Sequence, residues 1–208
     1  MNELNLERSC RPEAFQTSIS RMVRAETRKI LKDIHGKILD VGCGNGIFLL
    51  ETAANYPDQF VPFGLDRDFA ALENARLVFS DNHLPAHRFV QGNAYQLPFN
   101  DNTFDAVFCL NTLVNLAPLT TIEALIAELY RVCKPKHPLI FDYRNIWNPA
   151  IALTYKINRV TGSVSTFAYR WNNFKPIINR LNARLVNLIS LGSKTTFLAK
   201  GFLAVLEK

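Results

Sequence analysis

The chain has 208 residues, 48% of them hydrophobic, and a formal net charge of +6 from 24 Lys and Arg against 18 Asp and Glu. That length suits one domain with a real core, since a domain of about 150 residues already buries about 70% of its unfolded surface. No apolar run approaches the roughly 18–20 residues that span a bilayer. The polar start Met1-Asn2-Glu3-Leu4-Asn5 lacks a basic-then-apolar leader, and Cys10, Cys43, Cys109 and Cys133 show no C-x-x-C spacing. The expectation is a cytoplasmic protein with neither a disulfide framework nor a zinc site.

In chain order, residues 13–34 place Phe15, Ile19, Met22, Ile30 and Ile34 at helical spacing, with Arg21, Arg24, Arg28, Lys29 and Lys32 mostly between them. This predicts an amphipathic helix that stops at Gly36. Strand Lys37–Val41, helix Ile47–Asn55, strand Phe60–Leu65, helix Asp68–Phe79, strand Ala86–Gln91, strand Phe104–Leu110, helix Thr120–Cys133 and strand Pro138–Tyr143 follow. Such alternation of short apolar strands with helices predicts an α/β fold, a doubly wound, mostly parallel sheet covered on both faces. Residues 144–172 mix Trp147, Tyr155, Phe167, Tyr169 and Trp171 with Arg144, Lys156, Arg159 and Arg170, and break that rhythm. They are read as a lid-like insertion. A helix Asn173–Asn182 comes next, then strands Leu185–Leu191 and Phe197–Leu206 joined by Gly192-Ser193-Lys194-Thr195-Thr196. The whole is one expected domain: helical cover 1–35, core 36–143, insertion 144–172, final helix and hairpin 173–208.

The chemistry is concentrated at Ile38-Leu39-Asp40-Val41-Gly42-Cys43-Gly44-Asn45-Gly46, with Asp66 twenty residues beyond the last glycine. An apolar strand leads into a glycine turn, and a carboxylate stands at the tip of the next strand. Without a Cβ, the turn lets a ligand lie against the main chain. An ionised Asp there accepts hydrogen bonds from both hydroxyls of a ribose. The pattern is therefore that of a nucleoside site, and the spacing separates two cofactors. A dinucleotide fingerprint counted from Gly42 requires a small residue where Ile47 stands. Here the third glycine comes one residue early, and Asp40 lies two before the first.

Asp40-x-Gly42-x-Gly44-x-Gly46 resembles motif I of the class I S-adenosylmethionine-dependent methyltransferases. Four further segments in order carry the resemblance over residues 36–142: Phe63-Gly64-Leu65-Asp66-Arg67-Asp68, Gln91-Gly92-Asn93-Ala94-Tyr95-Gln96-Leu97-Pro98-Phe99, Asn102-Thr103-Phe104-Asp105-Ala106-Val107-Phe108 and Leu129-Tyr130-Arg131-Val132-Cys133-Lys134-Pro135. The resemblance implies a Rossmann-like, seven-stranded sheet with an antiparallel C-terminal strand, and S-adenosylmethionine as cofactor, leaving S-adenosylhomocysteine. It implies that Asp40, Gly42, Cys43 and Gly44 cradle the methionine end, with Asp40 toward the ammonium group. Asp66 would take the ribose hydroxyls and Arg67 would lie along the adenine edge, while Asp68 fits a helix cap. Asn93-Ala94 stands where relatives often have Asp and an apolar residue, and the neutral amide still offers an acceptor to the adenine amino group. Asn111 would touch cofactor and acceptor. A second departure is Lys134-Pro135-Lys136-His137-Pro138 in place of a Pro-Gly-Gly turn.

The run Asn111-Thr112-Leu113-Val114-Asn115 is not the Asn-Pro-Pro-Tyr or Asp-Pro-Pro-Tyr of amino-methylating nucleic-acid enzymes, and no Pro-Cys pair serves cytosine C5 chemistry. Neutral Asn111 speaks against a metal-assisted acceptor site. His35, His83, His87 and His137 are expected on the surface or at a helix end. Ligands of open α/β sheets bind beyond the carboxyl ends of the strands, so Asn115, Tyr143, Arg144 and Asn145 are the substrate-side candidates. The charge is uneven: residues 1–135 carry 13 basic and 16 acidic side chains, residues 136–208 carry 11 and 2. The basic third suits a small or medium acceptor methylated on O or N, such as an anionic metabolite, sugar or lipid. It equally suits RNA or an anionic membrane surface, and a regulatory subunit that binds the cofactor without catalysis needs no base at all. Ile146, Trp147, Ile151, Leu153, Tyr155, Ile157 and Val160, with Lys156 and Arg159, either cover a pocket or touch lipid headgroups.

Overall fold

A computed structural model describes residues 18–116, 119–162 and 166–208, without the side chains of His87 and Arg159. The expected helical start at residues 13–17 with Phe15, as well as Cys10, lies outside the described residues. So do residues 163–165 of the insertion.

The elements run α1 (Ser18–Ile30), β1 (Gly36–Val41), α2 (Ile47–Asn55), β2 (Phe60–Asp66), α3 (Phe69–Asp81), β3 (Phe89–Gln91), β4 (Ala106–Cys109), α4 (Leu119–Val132), β5 (Pro138–Arg144), α5 (Pro149–Thr161), α6 (Trp171–Arg180), β6 (Arg184–Leu191) and β7 (Gly201–Glu207). The strands form a seven-stranded sheet of order β3-β2-β1-β4-β5-β7-β6. Pairs from β3 to β5 are parallel, whereas β7 is antiparallel to both β5 and β6. The sheet is thus the Rossmann-like, mostly parallel one expected, with the C-terminal strand inserted beside β5.

Period-two alternation explains the layers. Leu39, Val107, Cys109, Leu139, Phe141, Tyr143 and Phe202 point to a core with residues of α4 and α6, including Ile122, Leu129, Phe174 and Ile177. The intervening Ile38, Ala106, Phe108, Ile140, Leu203 and Val205 point to a second core with Val23 of α1, Phe48 and Leu49 of α2, and Leu72 and Phe79 of α3. Strand order reverses between β1 and β4, which opens the crevice where ligands of such sheets bind. β6 closes the sheet as a largely exposed edge, with a bulge between Leu185 and Asn187.

Besides shifts of a few residues at other element ends, three departures from expectation stand out. Residues 86–88 form a turn of 3₁₀ helix before the short β3. The insertion contains α5, capped by Asn148, whose Oδ1 accepts from the amides of Ala150 and Ile151 with Pro149 at the first helical position. The last strand begins at Gly201 instead of Phe197, because Thr195 closes a turn in which Leu198 N and Ala199 N donate to its carbonyl.

The loop beyond β3 is fixed by Arg131 at the end of α4. Its guanidinium donates to Glu128, to Asp101, and to the carbonyls of Phe99 and Leu97, while Leu97 N donates to Glu128 Oε2 at 2.7 Å. Beneath that loop Phe104, fully buried, stands edge-on to Phe63 and Phe99 at 5.4 and 5.0 Å between centroids. Phe104→Ala is expected to cost about 3–5 kcal/mol through cavity and lost transfer energy. The reading is a lower urea midpoint at unchanged slope.

Candidate functional site

The glycine turn is dictated by what surrounds it. Gly42 has φ +80°, and a Cβ there would lie 2.3 Å from Thr112 Oγ1, so any side chain would collide with the residue that follows β4. The turn hangs from β2, with Gly42 N and Cys43 N both donating to the Leu65 carbonyl at 2.7 and 3.1 Å. Gly46, at φ +73°, then starts α2.

Around this turn lies a cavity of about 910 Å³ at the carboxyl ends of β1, β2 and β4. Asp40, Gly42, Cys43, Gly44, Asp66, Arg67, Asn93, Ala94 and Asn111, the expected cofactor-side residues, all line it, as does Asn115. The Asp66 carboxylate already organises the rim: Oδ2 accepts from Gly44 N at 2.7 Å and Oδ1 from Asp68 N at 3.0 Å. Asp68 caps α3, its Oδ1 accepting from Ala71 N. Asn93 Oδ1 accepts from Tyr95 N at 3.0 Å, which shapes the loop that offers Ala94 and Tyr95 to the cavity.

Asp40 is 3% exposed, and its Oδ1 has no hydrogen-bond partner among the described residues. Burial, then the like charges of Asp66 and Asp142, pushes its carboxyl up from 3.8 to about 8, against the opposing charge of Arg24. An orphaned, buried acceptor is costly unless something completes it. Arg24 reaches the same cavity from α1 and is 5% exposed, with Nε 3.1 Å from Glu51 Oε2 of α2. A buried guanidinium beside a buried carboxyl matches an amino acid's carboxylate and ammonium. The Gly42–Gly46 turn would supply the cradle and Asp66 a ribose acceptor, so the residues present fit S-adenosylmethionine. Burial raises the Cys43 thiol well above its usual value, so it lines the cavity as an inert small group.

At the far wall, Asn111 adopts φ +56° after β4. Its N–H donates to Asp142 Oδ1 at 2.5 Å, and its Oδ1 accepts from Arg144 Nη2 at 2.8 Å. Arg144 also pairs with Asp142 and shares a hydrogen bond with Tyr155 of α5. Arg144 therefore acts behind the wall, holding Asn111, and does not itself line the cavity. Tyr143 and Asn145, read as substrate-side candidates, are placed elsewhere. Tyr143 is 1% exposed among Trp171, Phe174 and Phe202. Asn145 is 1% exposed, and its Nδ2 donates to the carbonyls of Thr196 and Ala199. Both positions are taken up by packing and loop anchoring. Sequence reasoning missed Arg24, Thr112 and Asp142 as parts of the site. For Asp142 the signal existed, a carboxylate two residues before an arginine on the same face of a buried strand.

Residues 38–136 match the model of a family described as a methyltransferase domain. The chain is similar to a demethylmenaquinone methyltransferase of Symbiobacterium thermophilum, 40% identical over 100 residues, covering 47% of this chain and 38% of that protein. It is also similar to the sterol 24-C-methyltransferase erg-4 of Neurospora crassa, 33% identical over 125 residues, covering 59% of this chain and 31% of that protein. The chain thus spans less than half the length of these curated relatives. A solved S-adenosylmethionine-dependent methyltransferase from Clostridium acetobutylicum shares the fold at a TM-score of 0.70 with 13% identity, over 93% of both chains. With its motif turn closing on a cavity suited to that cofactor, residues 38–136 carry a methyltransferase domain, set in a fold shared with S-adenosylmethionine-dependent methyltransferases.

Proposed function

We propose that this chain methylates a small apolar acceptor of the lipid-quinone or sterol kind, one that brings its own nucleophile. The observation that carries the methyl-transfer reading is the cavity in which buried Asp40 keeps one oxygen unpartnered beside the Gly42–Gly46 turn. The cofactor would supply a methyl group on a positively charged sulfur. Asp40 would hold its ammonium group, Arg24 its carboxylate and Asp66 its ribose, so that the chain's own work is binding, alignment and exclusion of water. Alignment of two bound reactants is worth about 7–11 kcal/mol in favourable cases.

The acceptor half follows from what the cavity offers. Its described titratable side chains are Arg24, Asp40, Cys43, Asp66, Arg67, Asp68 and Tyr95, and we assign each of them to the cofactor side. Toward the far wall stand Leu110, Asn111, Thr112, Asn115 and Leu116. Asp142, the nearest further carboxylate, is taken up by Asn111 and Arg144. A hydroxyl of high pKa would lack a base there. An electron-rich ring carbon, an alkene or a neutral amine would not need one. The two curated relatives are named for a demethylmenaquinone and a sterol, which supports an apolar acceptor.

Asp66→Ala is expected to raise the cofactor Kd about thirtyfold, or about 2 kcal/mol, by removing a charged acceptor and two backbone tethers. Titration calorimetry checks this, and an unchanged Kd would sink the ribose assignment. Asp40 gives a second handle. Its carboxyl is mostly protonated at pH 7, and a bound ammonium favours the ionised form, so binding expels up to about one proton per cofactor. Affinity then rises with pH toward about 8. Heats measured at pH 7 in buffers of different ionisation enthalpy should reveal that proton, and Asp40→Asn should abolish it; equal heats in all buffers would rule the ammonium contact out. In the ligand-free protein the same raised pKa makes folding take up a proton, so stability falls as pH rises between about 4 and 8.

Incubation with methyl-labelled cofactor and a host extract separated into RNA, protein, lipid and polar metabolites tests the acceptor. Label in the lipid fraction, lost with Asp66→Ala, is the expected result. Label in RNA or polar metabolites alone would overturn the apolar acceptor.

A further inference from the structure

Among the described residues, nothing covers the outer face of α5. Leu153, Ile157 and Val160 stand on one side of that helix at steps of four and three, and are 60%, 51% and 81% exposed. The inner side of the same helix carries Tyr155, bonded to Arg144. At the start of the helix the apolar face continues onto a second segment. Asn148 Nδ2 donates to the Leu198 carbonyl at 2.7 Å, and Asn145 Nδ2 to the carbonyls of Thr196 and Ala199 at 2.9 Å each. These bonds fix the 195–199 turn beside the beginning of α5, where Phe197, Leu198 and Trp147 are each more than half exposed. Large apolar side chains gathered in this way mark a surface made to be covered.

The surrounding charge says by what. Residues 143–206 contain nine Lys and Arg and not one Asp or Glu. Lys156 on α5 and Lys194 and Lys200 flanking the turn are exposed, and the Arg170 guanidinium lies 4.2 Å from the Trp147 ring centroid. Apolar side chains on a segment whose every charge is positive complement acyl chains beneath anionic headgroups. RNA would satisfy the cations but leave Leu153, Ile157 and Val160 against water. No described helix is long and apolar enough to cross a membrane, so the face would lie on one.

We propose that α5 and the 195–199 turn dock this protein on an anionic lipid surface. The inference extends the apolar-acceptor reading, because Tyr155, Arg144 and Asn111 connect the docking helix to the cavity wall and an acceptor dissolved in the bilayer would then be close to it. Co-sedimentation of the full chain with vesicles tests it without any turnover, so its failure and the failure of methyl transfer are separable.

Binding is expected to vesicles of phosphatidylcholine with about one third phosphatidylglycerol, and to be weak on phosphatidylcholine alone. Leu153→Ser/Ile157→Ser/Val160→Ser, which leaves charge unchanged, should lower the partition coefficient about tenfold or more. Lys156→Gln/Lys194→Gln/Lys200→Gln should lower it by a similar factor and flatten its salt dependence. These positions are exposed, and far-ultraviolet circular dichroism verifies that both variants keep the fold. No binding to anionic vesicles, equal binding to neutral ones, or unchanged binding by the serine variant would each overturn the proposal. Retention on RNA without vesicle binding would overturn it too, by assigning the basic surface to nucleic acid.

Discussion

Asp40 stands one residue before the end of β1 and is almost wholly buried, with Asp66 and Asp142 as neighbouring negative charges and Arg24 as the opposing one. A folded chain rarely tolerates such an arrangement without a compensating partner. The elements around it are organised so that the partner comes from outside. The β1 turn keeps bare backbone where a side chain would collide with Thr112, α1 brings in a buried guanidinium that Glu51 of α2 steadies, and β2 supplies Asp66. Residual energetic discomfort in the ligand-free protein is thus concentrated at the point of binding.

The rest of the molecule serves as a platform of fixed geometry. Each central strand alternates its side chains between two cores, so a strand end cannot rotate without disturbing both. Loops that reach the cavity are tied back to that platform by charged hubs. Arg131 holds the loop beyond β3, and Arg144 holds the one beyond β4. Arg144 is the more consequential of the two, since its partners come from the loop after β4, from β5 and from α5. A change in the seating of α5 is therefore felt at Asn111.

Much of this was readable in the amino-acid order because the determining constraints are local. Glycines at 42, 44 and 46 between an apolar strand and a helix admit few conformations, and the strands from β1 to β5 announce themselves as β-branched and aromatic runs. Long-range pairing hid the rest. On an amphipathic helix a basic residue reads as solvent-facing, yet Arg24 is buried by Glu51, twenty-seven positions later. Tyr143 looked like a strand-end contact, but strand parity puts it with Phe141 on the face that packs against Phe174. In α5 the apolar residues fall on inner and outer faces alike, so periodicity offers no single stripe and the segment reads as a lid-like insertion.

In the proposed roles, Asp40, Arg24 and Asp66 would address an amino acid and a ribose, which methyl transfer leaves chemically unchanged. Contacts of that kind strengthen binding before and after reaction equally, and add nothing to the transition state alone. The demethylated product keeps both zwitterionic end and sugar and differs by one methyl group and the charge on sulfur. It would therefore compete for the same cradle on nearly equal terms. An enzyme so built responds to the ratio of fresh to spent cofactor more than to the amount of either, and its rate in a cell is set in part by whatever clears the product.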